Sequence, residues 1–460
     1  MNYIDDTIAA ISTPVGQGGI GIVRVSGPKA LEIAESIFRP KKTGPLSTAR
    51  AFSLIYGRVI DPSSGRPIDE VLVSVMRSPH SYTKEDVVEI NCHGGMVSVR
   101  KILEVIIARG ARLAGPGEFT KRAFLNGRID LTEAEAVMDL ISAKTEEGHR
   151  LALGQLRGGL SEKLEGLRNS LIESCALAEA HIDFPEDEID VGTLKQLSGR
   201  LLSIRQETEK LSATFEEARF FREGLSVAIV GRPNVGKSSL LNALLKKDRA
   251  IVTELPGTTR DLIEEYLNID GLPVRIIDTA GIRHSDELVE KEGIKRSLNA
   301  MTEADFVIAV LDGSEDTRKE DLEILEKLRD KNAVIVVNKS DLPMKISPET
   351  IQTSGKQYLR ISAVRGEGLE ELKSSIFSSN LRNWKEEREG VVVTSLRHKL
   401  ALDRASLALE RAVRLLGENQ PLEIFALELR EALDSIGEIT GAVSTDEVLN
   451  RIFSDFCIGK

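Results

Sequence analysis

A glycine-rich segment, GRPNVGKS at residues 231–238, combines a lysine and a hydroxyl in a spacing that suits phosphate chemistry. It follows the apolar run LSVAIV. Backbone N–H groups of such a turn, at the start of a helix, bind phosphate. Lys237 can neutralise the β- and γ-phosphates of a nucleotide, and the Ser238 hydroxyl can ligate magnesium. The segment therefore predicts a P-loop.

Two further segments follow in the order that a nucleotide hydrolase needs. PGTTRD, at residues 256–261, offers Thr258 and Thr259 on a switch loop. RIIDTAG ends a predicted strand at Asp278, whose carboxylate can hold the magnesium shell, and Gly281 can sense the γ-phosphate. Together with the P-loop, these segments predict the phosphate and magnesium half of a site.

Base recognition is predicted at VIVVNKSD, which contains Asn338, Lys339 and Asp341. The Asp341 carboxylate can accept hydrogen bonds from both N1–H and the 2-amino group of guanine, and adenine offers no such donor pair. Backbone N–H groups of RISAV, residues 360–364, can bind the guanine carbonyl. The residues expected to bind GTP are Asn234, Val235, Gly236, Lys237, Ser238, Ser239, Thr253, Glu254, Leu255, Pro256, Gly257, Thr258, Thr259, Asp278, Thr279, Ala280, Gly281, Asn338, Lys339, Ser340, Asp341, Ser362, Ala363 and Val364.

Two residues refine the expected hydrolysis. Ile282 follows DTAG, where Ras-type enzymes place a water-orienting glutamine, so another group must position the nucleophilic water. Asn234 of the P-loop carries a hard amide oxygen that could hold a monovalent cation beside the phosphates. Such a cation would supply the charge that an arginine finger supplies elsewhere. The alternative is that Asn234 only caps the turn.

Three kinds of sequence must position these residues. Residues 1–117 alternate β-branched runs with one helical stretch, SVRKILEVIIARG, which predicts an α+β domain. Residues 118–222 and 380–460 place apolar residues at helical intervals, and they include a helical stretch over about 195–221. Because neither helical part alone buries its apolar stripes, we expect one discontinuous helical bundle domain. Residues 223–379 alternate strands and helices, so we expect an inserted Ras-like P-loop G domain within a multidomain α/β plus all-α protein.

Length and composition fit a cytoplasmic protein of about three domains. The three cysteines, Cys92, Cys175 and Cys457, are too few and too far apart for a disulfide framework. Asp5 and Asp6 stand where a targeting peptide would need basic residues, and no apolar run is long enough to cross a membrane. We expect Cys92 and Cys175 to be buried and inert.

The net charge of −11 means that nucleic acid must be contacted through local basic patches. The run FTKRAFLNGR is one candidate for such a basic patch, and a solvated helix start is the alternative. His93, beside two glycines in NCHGG, resembles a catalytic histidine, but we expect it to be a turn residue.

The whole chain resembles the MnmE (TrmE) family, and the most specific parts of the resemblance lie outside the G domain. They are TPVGQGGIGIVRVSG, NCHGG, GPGEFTKRAFLNGRIDLTEAEAVMDLI, HIDFPEDEI and FCIGK. The resemblance implies a folate-binding and dimerising N-terminal domain and a homodimer that works with the flavoprotein MnmG (GidA). Together they would place an aminomethyl or carboxymethylaminomethyl group at C5 of the wobble uridine of certain tRNAs. A 5-formyl- or methylene-tetrahydrofolate would supply the carbon, and GTP hydrolysis would drive conformational change.

The resemblance also implies roles for single residues. Glu290 would position the hydrolytic water, and Ser238 and Thr259 would bind magnesium. The anionic tail of folate could pair with basic side chains, and a carboxylate could accept from the N–H edge of the pterin. The residues implied for potassium are Asn234, Thr253, Leu255 and Thr258, and those for folate are Arg24, Glu89, Arg128 and Lys460.

The terminal segment FSDFCIGK predicts an arm of the modification site. Cys457 would be a catalytic nucleophile toward an activated carbon or toward C6 of uracil, and a purely structural role is the alternative. Two other functions stay open. One is a ribosome-assembly GTPase of the Era/EngA type, although no GXXG loop in a basic context follows the G domain. The other is a folate-dependent aminomethyl transferase that GTP only regulates.

Overall fold

The computed structural model divides the described chain into two compact units. The first unit contains the described residues up to Met138 together with Gly437–Lys460, and the second contains those from Asp139 to Ile436. The described residues are 6–14, 16–42, 44–183, 191–248, 266–277, 300–352, 354–382, 384, 390–418 and 420–460.

The first unit is built on a seven-stranded sheet with the strand order β3-β4-β5-β6-β2-β1-β7. Neighbouring strands are antiparallel, except that β7 runs parallel to β1. Alternate residues therefore face opposite sides, so that Val23 and Val25 point into the core while Arg24 faces the other way. The strands are β1 Ile8–Ile11, β2 Gly18–Ser26, β3 Phe38–Pro40, β4 Ser53–Ile60, β5 Pro67–Met76, β6 Val87–Gly94 and β7 Arg112–Leu113.

Two helices, α1 and α2, supply apolar side chains to the core of this sheet. The prediction of a single helical stretch in residues 1–117 is therefore wrong. The missed helix, α1, has only two turns and no side-chain cap, so its stability comes from packing that periodicity does not reveal. The helices that begin before Ser142 are α1 Ala30–Ile37, α2 Met96–Ala108, α3 Glu118–Leu125 and α4 Leu131–Ser142.

The second unit contains a six-stranded sheet with the order β13-β12-β11-β8-β10-β9. All pairs are parallel except β9 with β10. Val227 and Ile229 of β8 enter one apolar cluster, and Ala228 and Val230 enter another, so the sheet is covered on both faces. The strands are β8 Leu225–Val230, β9 Tyr266–Ile269, β10 Leu272–Ile277, β11 Phe306–Asp312, β12 Ala333–Asn338 and β13 Tyr358–Arg360.

The remaining α-helices of the described chain are α5 Glu146–Leu156, α6 Gly159–Asp183, α7 Val191–Ala213, α8 Phe215–Glu223, α9 Lys237–Asp248, α10 Lys319–Lys327, α11 Pro348–Gln352, α12 Leu369–Asn380, α13 Leu396–Gly417, α14 Leu422–Thr440 and α15 Asp446–Ser454. Of these, α7, which precedes the six-stranded sheet in the sequence, packs against α13, which follows it. Ser212 of α7 donates to Asp403 of α13 at 2.5 Å, and Ser406 donates to Glu209 at 3.0 Å. The predicted fold class is confirmed: an α+β N-terminal domain, a helical domain that is discontinuous in sequence, and an inserted P-loop G domain.

The helical stretch expected over about 195–221 is confirmed and contains two helices, α7 and α8. Thr214 lies between them, and its hydroxyl donates to Leu211 O and accepts from Val393 N–H. This local hydrogen bonding competes with a continuous helix. None of the helices in the described part of the chain combines the length and the hydrophobicity needed to cross a bilayer.

Candidate functional site

The P-loop connects the end of β8 to the start of α9, as the sequence predicts. Gly231 has φ +156°, and a Cβ there would lie 2.4 Å from Val310 O. Gly236 has φ +98°, and a Cβ would lie 2.2 Å from Asn338 Nδ2. Only glycine fits at these two positions, because both the backbone conformation and the space exclude a side chain.

Lys237 is held over this loop by backbone acceptors. Its Nζ donates to Gly231 O at 2.8 Å and to Arg232 O at 2.9 Å. Burial, and then the charge of Arg232, lower the pKa of Lys237 below its usual 10.5. A phosphate beside Lys237 would oppose both effects, because its negative charge favours the ammonium. Asn234 is exposed on the same loop and has φ +63°, a conformation that Asn tolerates better than most residues.

Asn338 links the P-loop to the two segments predicted to bind the base. It is buried at the end of β12, where its Nδ2 donates to Val235 O at 2.9 Å. Its Oδ1 accepts from Ala363 N–H at 3.1 Å. The amide thus ties GRPNVGKS, NKSD and RISAV to one edge of the sheet, where the carboxyl ends of parallel strands meet.

Lys339 is oriented by a buried carboxylate at the end of β11. Its Nζ lies 2.5 Å from Asp312 Oδ2, and its backbone has φ +64°. Burial raises the pKa of Asp312, but hydrogen bonds from Lys339 and Ser314 outweigh it and hold the pKa below 3.8. Asp312 is therefore an ionised partner for Lys339. The sequence reasoning missed Asp312, because this contact joins two strand ends that no motif connects.

Asp341 stands in a position to accept from a base. Ser362 Oγ donates to Asp341 Oδ1 at 2.7 Å, and this bond is the main cause that lowers the pKa of Asp341 below 3.8. The carboxylate is consequently ionised at neutral pH, as guanine recognition requires. Val364 beside it is 85% exposed.

The structure thus brings three of the predicted nucleotide-binding segments together. The residues placed there are Asn234, Val235, Gly236, Lys237, Ser238, Ser239, Asn338, Lys339, Ser340, Asp341, Ser362, Ala363 and Val364. The other predicted residues lie outside the described part of the chain. They are Thr253, Glu254, Leu255, Pro256, Gly257, Thr258, Thr259, Asp278, Thr279, Ala280, Gly281 and Glu290.

A second group of predicted residues meets in the first unit. Arg24 on β2 and Glu89 on β6 are register partners, and Arg24 Nε lies 2.8 Å from Glu89 Oε1. Arg24 Nη1 also donates to Gly459 O at 3.3 Å. Lys460 is half-buried next to this pair, and burial, followed by the charge of Arg24, lowers its pKa below 10.5.

An aromatic ring connects Arg128 to the same place. The guanidinium of Arg128 lies 4.7 Å from the centroid of the Tyr82 ring, and that of Arg24 lies 5.5 Å from it. Arg128 Nη1 also donates to Tyr82 O at 3.2 Å. Sequence reasoning missed Tyr82, because nothing in its local sequence indicates that two distant arginines pack on it.

The last residues of the sequence run between two strands and a helix of the first unit. Gly117 N–H donates to Cys457 O at 3.4 Å, and Phe119 N–H of α3 donates to Lys460 O at 3.2 Å. An isolated antiparallel bridge pairs Pro116 with Ile458. We call residues 456–460 the tail. Its position places Lys460 near Arg24, Glu89 and Cys457.

The three cysteines differ in accessibility. Cys457 is exposed, whereas Cys92 and Cys175 are buried, which confirms the expectation for the latter two. Burial raises the pKa of the Cys92 thiol to about 11 and also raises that of Cys175. The thiolate is the nucleophilic form, so both buried thiols are unreactive near neutral pH.

Two further predictions are corrected or resolved. His93 is not a turn residue but lies on β6, where its Nδ1 is 2.7 Å from Asp69 Oδ1. In the run FTKRAFLNGR, Arg122 is fully buried, so it cannot contact a nucleic acid. Its guanidinium is held by Asp6, Glu85 and Glu118. Glu118 lies one turn earlier on the same helix, whereas Asp6 and Glu85 come from distant parts of the sequence.

Two family models match the chain. The model described as the MnmE helical domain matches residues 131–457, and the one described as the GTP-binding protein TrmE N-terminus matches residues 7–128.

Relatives named tRNA modification GTPase MnmE match over nearly their full length. The protein of Alkaliphilus oremlandii (strain OhILAs) is 47% identical over 100% of both chains. That of Carboxydothermus hydrogenoformans is 48% identical over 99% of this chain and 100% of its own. That of Clostridioides difficile (strain 630) is 47% identical over 100% of both. Among solved structures, the G domain of the T. maritima FeoB iron transporter is 29% identical over 34% of this chain and 98% of that chain, with a TM-score of 0.25.

Proposed function

This chain belongs to the MnmE family of tRNA modification GTPases, and we propose that it couples GTP hydrolysis to alkylation of the wobble uridine at C5. It is a GTP hydrolase that acts in tRNA modification. In the proposal, it works as a cytoplasmic homodimer with the flavoprotein MnmG (GidA). The product is an aminomethyl or carboxymethylaminomethyl uridine, and hydrolysis drives conformational change rather than the carbon chemistry.

One observation carries the proposed carbon chemistry: the tail lies against the residues implied for folate. Arg24 contacts both Glu89 and the backbone of Gly459, so an exposed thiol, Cys457, and an ammonium, Lys460, lie on a segment fixed to this pair. A thiolate is a good nucleophile toward an activated carbon or toward C6 of a uracil ring. This proximity supports a shared site for folate and the thiol of Cys457.

The donors and acceptors present fit a reduced folate. Glu89 can accept from the N–H edge of a pterin, and the ring of Tyr82 offers an aromatic surface. Arg24, Arg128 and Lys460 can pair with folate carboxylates; the lowered pKa of Lys460 would rise again beside an anion. A 5-formyl- or methylene-tetrahydrofolate would supply the one-carbon unit when bound. The chain's own residues would bind and orient it and keep the thiol of Cys457 close.

At the nucleotide site, the P-loop binds the phosphates while Asp341 selects guanine. We place magnesium on Ser238 and Thr259. We place potassium on Asn234 and on the backbones of Thr253, Leu255 and Thr258. The exposed position of Asn234 on the P-loop supports the assignment of a cation ligand. Glu290 would orient the water that attacks the γ-phosphate, because Ile282 cannot.

An exposed apolar surface on the first unit supports the homodimer. Tyr56 of β4 and Leu72 of β5 are register partners on the face opposite the helices, and they are 41% and 42% exposed. Leu54 on the same face is 66% exposed. Adjacent apolar side chains in contact with water are typical of surfaces that bind another protein.

The proposed function is tested by nucleoside analysis of tRNA from a strain that lacks this chain. The expected result is loss of the C5 substituent of the wobble uridine and its return when the gene is restored. An unchanged nucleoside profile would instead favour a ribosome-assembly GTPase. Restoring the strain with Lys237→Ala separates the remaining alternative: full modification without GTP hydrolysis would mean that GTP only regulates a transferase.

A further inference from the structure

The tail occupies a narrow seat in the first unit. We define the tail seat as Ile11, Ser12, Arg24, Gly117 and Phe119, each of which contacts the tail through backbone or side-chain atoms. Ser12 Oγ donates to Gly459 O at 3.1 Å, and Arg24 donates to the same oxygen at 3.3 Å. The carbonyl of Gly459 is therefore the acceptor through which Ser12, just after β1, and Arg24 of β2 hold the tail.

Gly459 fits this seat only because it has no side chain. Its φ is +99°, in the region that favours glycine. A Cβ at this position would lie 2.2 Å from Ile11 O and 3.0 Å from Ser12 Cα. These are backbone atoms at the end of β1, so they cannot rotate away as a flexible side chain would.

Gly117 forms a matching close contact on the other side of the tail. It has φ +61°, and a Cβ there would lie 2.9 Å from both Phe453 O and Phe456 Cβ. Its N–H donates to Cys457 O, while the Phe456 side chain is buried in the apolar cluster beneath. Cys457 thus lies between two glycine contacts, one before it and one after it in the tail.

We propose that Gly459 is a positioning residue for the modification reaction. The tail is fixed before any substrate arrives, and Gly459 permits the approach that presents Lys460 beside Arg24 and Glu89, with Cys457 close to Lys460. The role of the tail in tRNA modification rests on the proposed function, whereas the requirement for glycine at position 459 rests on the geometry alone. Because misplacing a reacting group by about 1 Å can cost about 10²-fold in rate, a displaced tail should lose most modification activity.

The test compares Gly459→Ala with Gly110→Ala in the full chain. Gly110 is a matched control, because its φ of +103° is almost the same but no heavy atom lies within 4 Å of the added Cβ. Both variants force alanine into a left-handed conformation, and only Gly459→Ala adds a collision. The structural readout is hydrogen exchange at the amides of Gly117 and Phe119, which donate to the tail.

For Gly459→Ala, exchange at these two amides should rise by about tenfold or more, and tRNA modification should fall by about 10²-fold. GTP hydrolysis should stay near wild type, and Gly110→Ala should change none of the three. Unchanged exchange in Gly459→Ala would overturn the close fit. Raised exchange with full modification would overturn the positioning role.

A milder variant covers the case in which Gly459→Ala does not fold. Ser12→Ala removes one hydrogen bond to Gly459 O and leaves the backbone in place, so it should raise exchange by a few-fold and lower modification to a lesser degree. Equal exchange in Ser12→Ala and wild type would count against the seat. If Cys457→Ser still modifies tRNA while Gly459→Ala releases the tail, the seat stands and the proposed carbon chemistry fails.

Discussion

The nucleotide site and the tail seat differ in the sequence distance between the residues that meet. At the nucleotide site, Asn338 joins segments that lie 103 and 25 residues away. In the tail seat, Gly459 accepts from Ser12 and Arg24 across 447 and 435 residues. The first site collects the ends of neighbouring strands, and the second exists only when distant parts of the chain have packed.

Both sites nevertheless depend on the same property of glycine. Gly236, with φ +98°, lies against Asn338, and Gly459, with φ +99°, lies against Ile11. In each case a backbone approaches a neighbour more closely than any side chain would allow. Similar local geometry therefore serves two separate tasks, phosphate binding at Gly236 and fixing of the tail at Gly459. Variants should therefore separate these tasks.

Cys457→Ser should give the largest difference between the loss of tRNA modification and the loss of GTP hydrolysis. The hydroxyl of serine is a far weaker nucleophile than a thiolate, so tRNA modification should be abolished. GTP hydrolysis and dimerisation should remain near normal, because the nucleotide site shares no residue with the tail. Nucleoside analysis of tRNA and a phosphate-release assay measure the two effects. A serine variant that modifies tRNA fully would leave Cys457 with only a structural role.

Glu290→Ala should have the opposite effect: it should slow GTP hydrolysis and leave the tail in place. Without a group to position the water, GTP hydrolysis should slow by about 10²-fold, while nucleotide affinity changes little. Hydrogen exchange at Gly117 and Phe119 should be unaffected, because the tail does not depend on hydrolysis. Single-turnover assays measure the hydrolysis rate, and nucleotide titration measures the affinity. Turnover near wild type would show that a residue other than Glu290 holds the water.

A smaller effect is expected from the proposed potassium ligand. GTP turnover should rise by about tenfold in potassium relative to sodium, because ion size must match the site around Asn234 and a fitted cation stabilises charge at the phosphates. Asn234→Ala should remove this stimulation and leave GDP binding largely intact. Both expectations are checked by GTP turnover rates measured in potassium and in sodium at equal ionic strength. Equal wild-type rates in the two salts would contradict the cation role.

The sequence could predict the nucleotide site because its parts are local. The P-loop, NKSD and RISAV each contain their polar residues within a few positions of a strand and a turn. Their chemistry can therefore be inferred from the sequence without knowledge of the fold. The parallel sheet that unites them follows from alternating strands and helices. What could not be predicted is the support between segments, such as Asp312 under Lys339, since it depends on which strands become neighbours.

Most contacts of the tail seat, in contrast, could not be predicted from the sequence. The terminal segment predicts that Cys457 and Lys460 belong to the modification site, and the family resemblance adds Arg24 and Glu89. No periodicity or spacing indicated that Gly459 would lie on Ile11 or that Tyr82 would lie beside two arginines. The short helix α1 and the buried charge of Arg122 were missed for the same reason. Helix α1 is stabilised by packing against distant residues, and two of the three carboxylates around Arg122, Asp6 and Glu85, are also distant in the sequence.

The smallest predicted effect concerns the support under the guanine site. Asp312 is 3% exposed and accepts from Lys339 Nζ and from Ser314 N–H and Oγ–H. Asp312→Asn removes the charge that orients Lys339, whose ammonium stays partly in water. One net hydrogen bond is worth about 1 kcal/mol, so GTP and GDP affinity should each fall about fivefold. Fluorescent-nucleotide titration measures this change.

The matched control is Glu315→Gln, because Glu315 pairs with Arg232 and lies three residues further along the same loop. Its effect on affinity should be smaller. Since hydrogen bonds hold the pKa of Asp312 below 3.8, its carboxylate is ionised above that value, and its contribution is lost only as pH falls through the lowered pKa. The affinity ratio of wild type to Asp312→Asn should therefore be constant from about pH 5 to about pH 8. A ratio of one, or one that varies across this range, would show that Asp312 does not orient Lys339 for base binding.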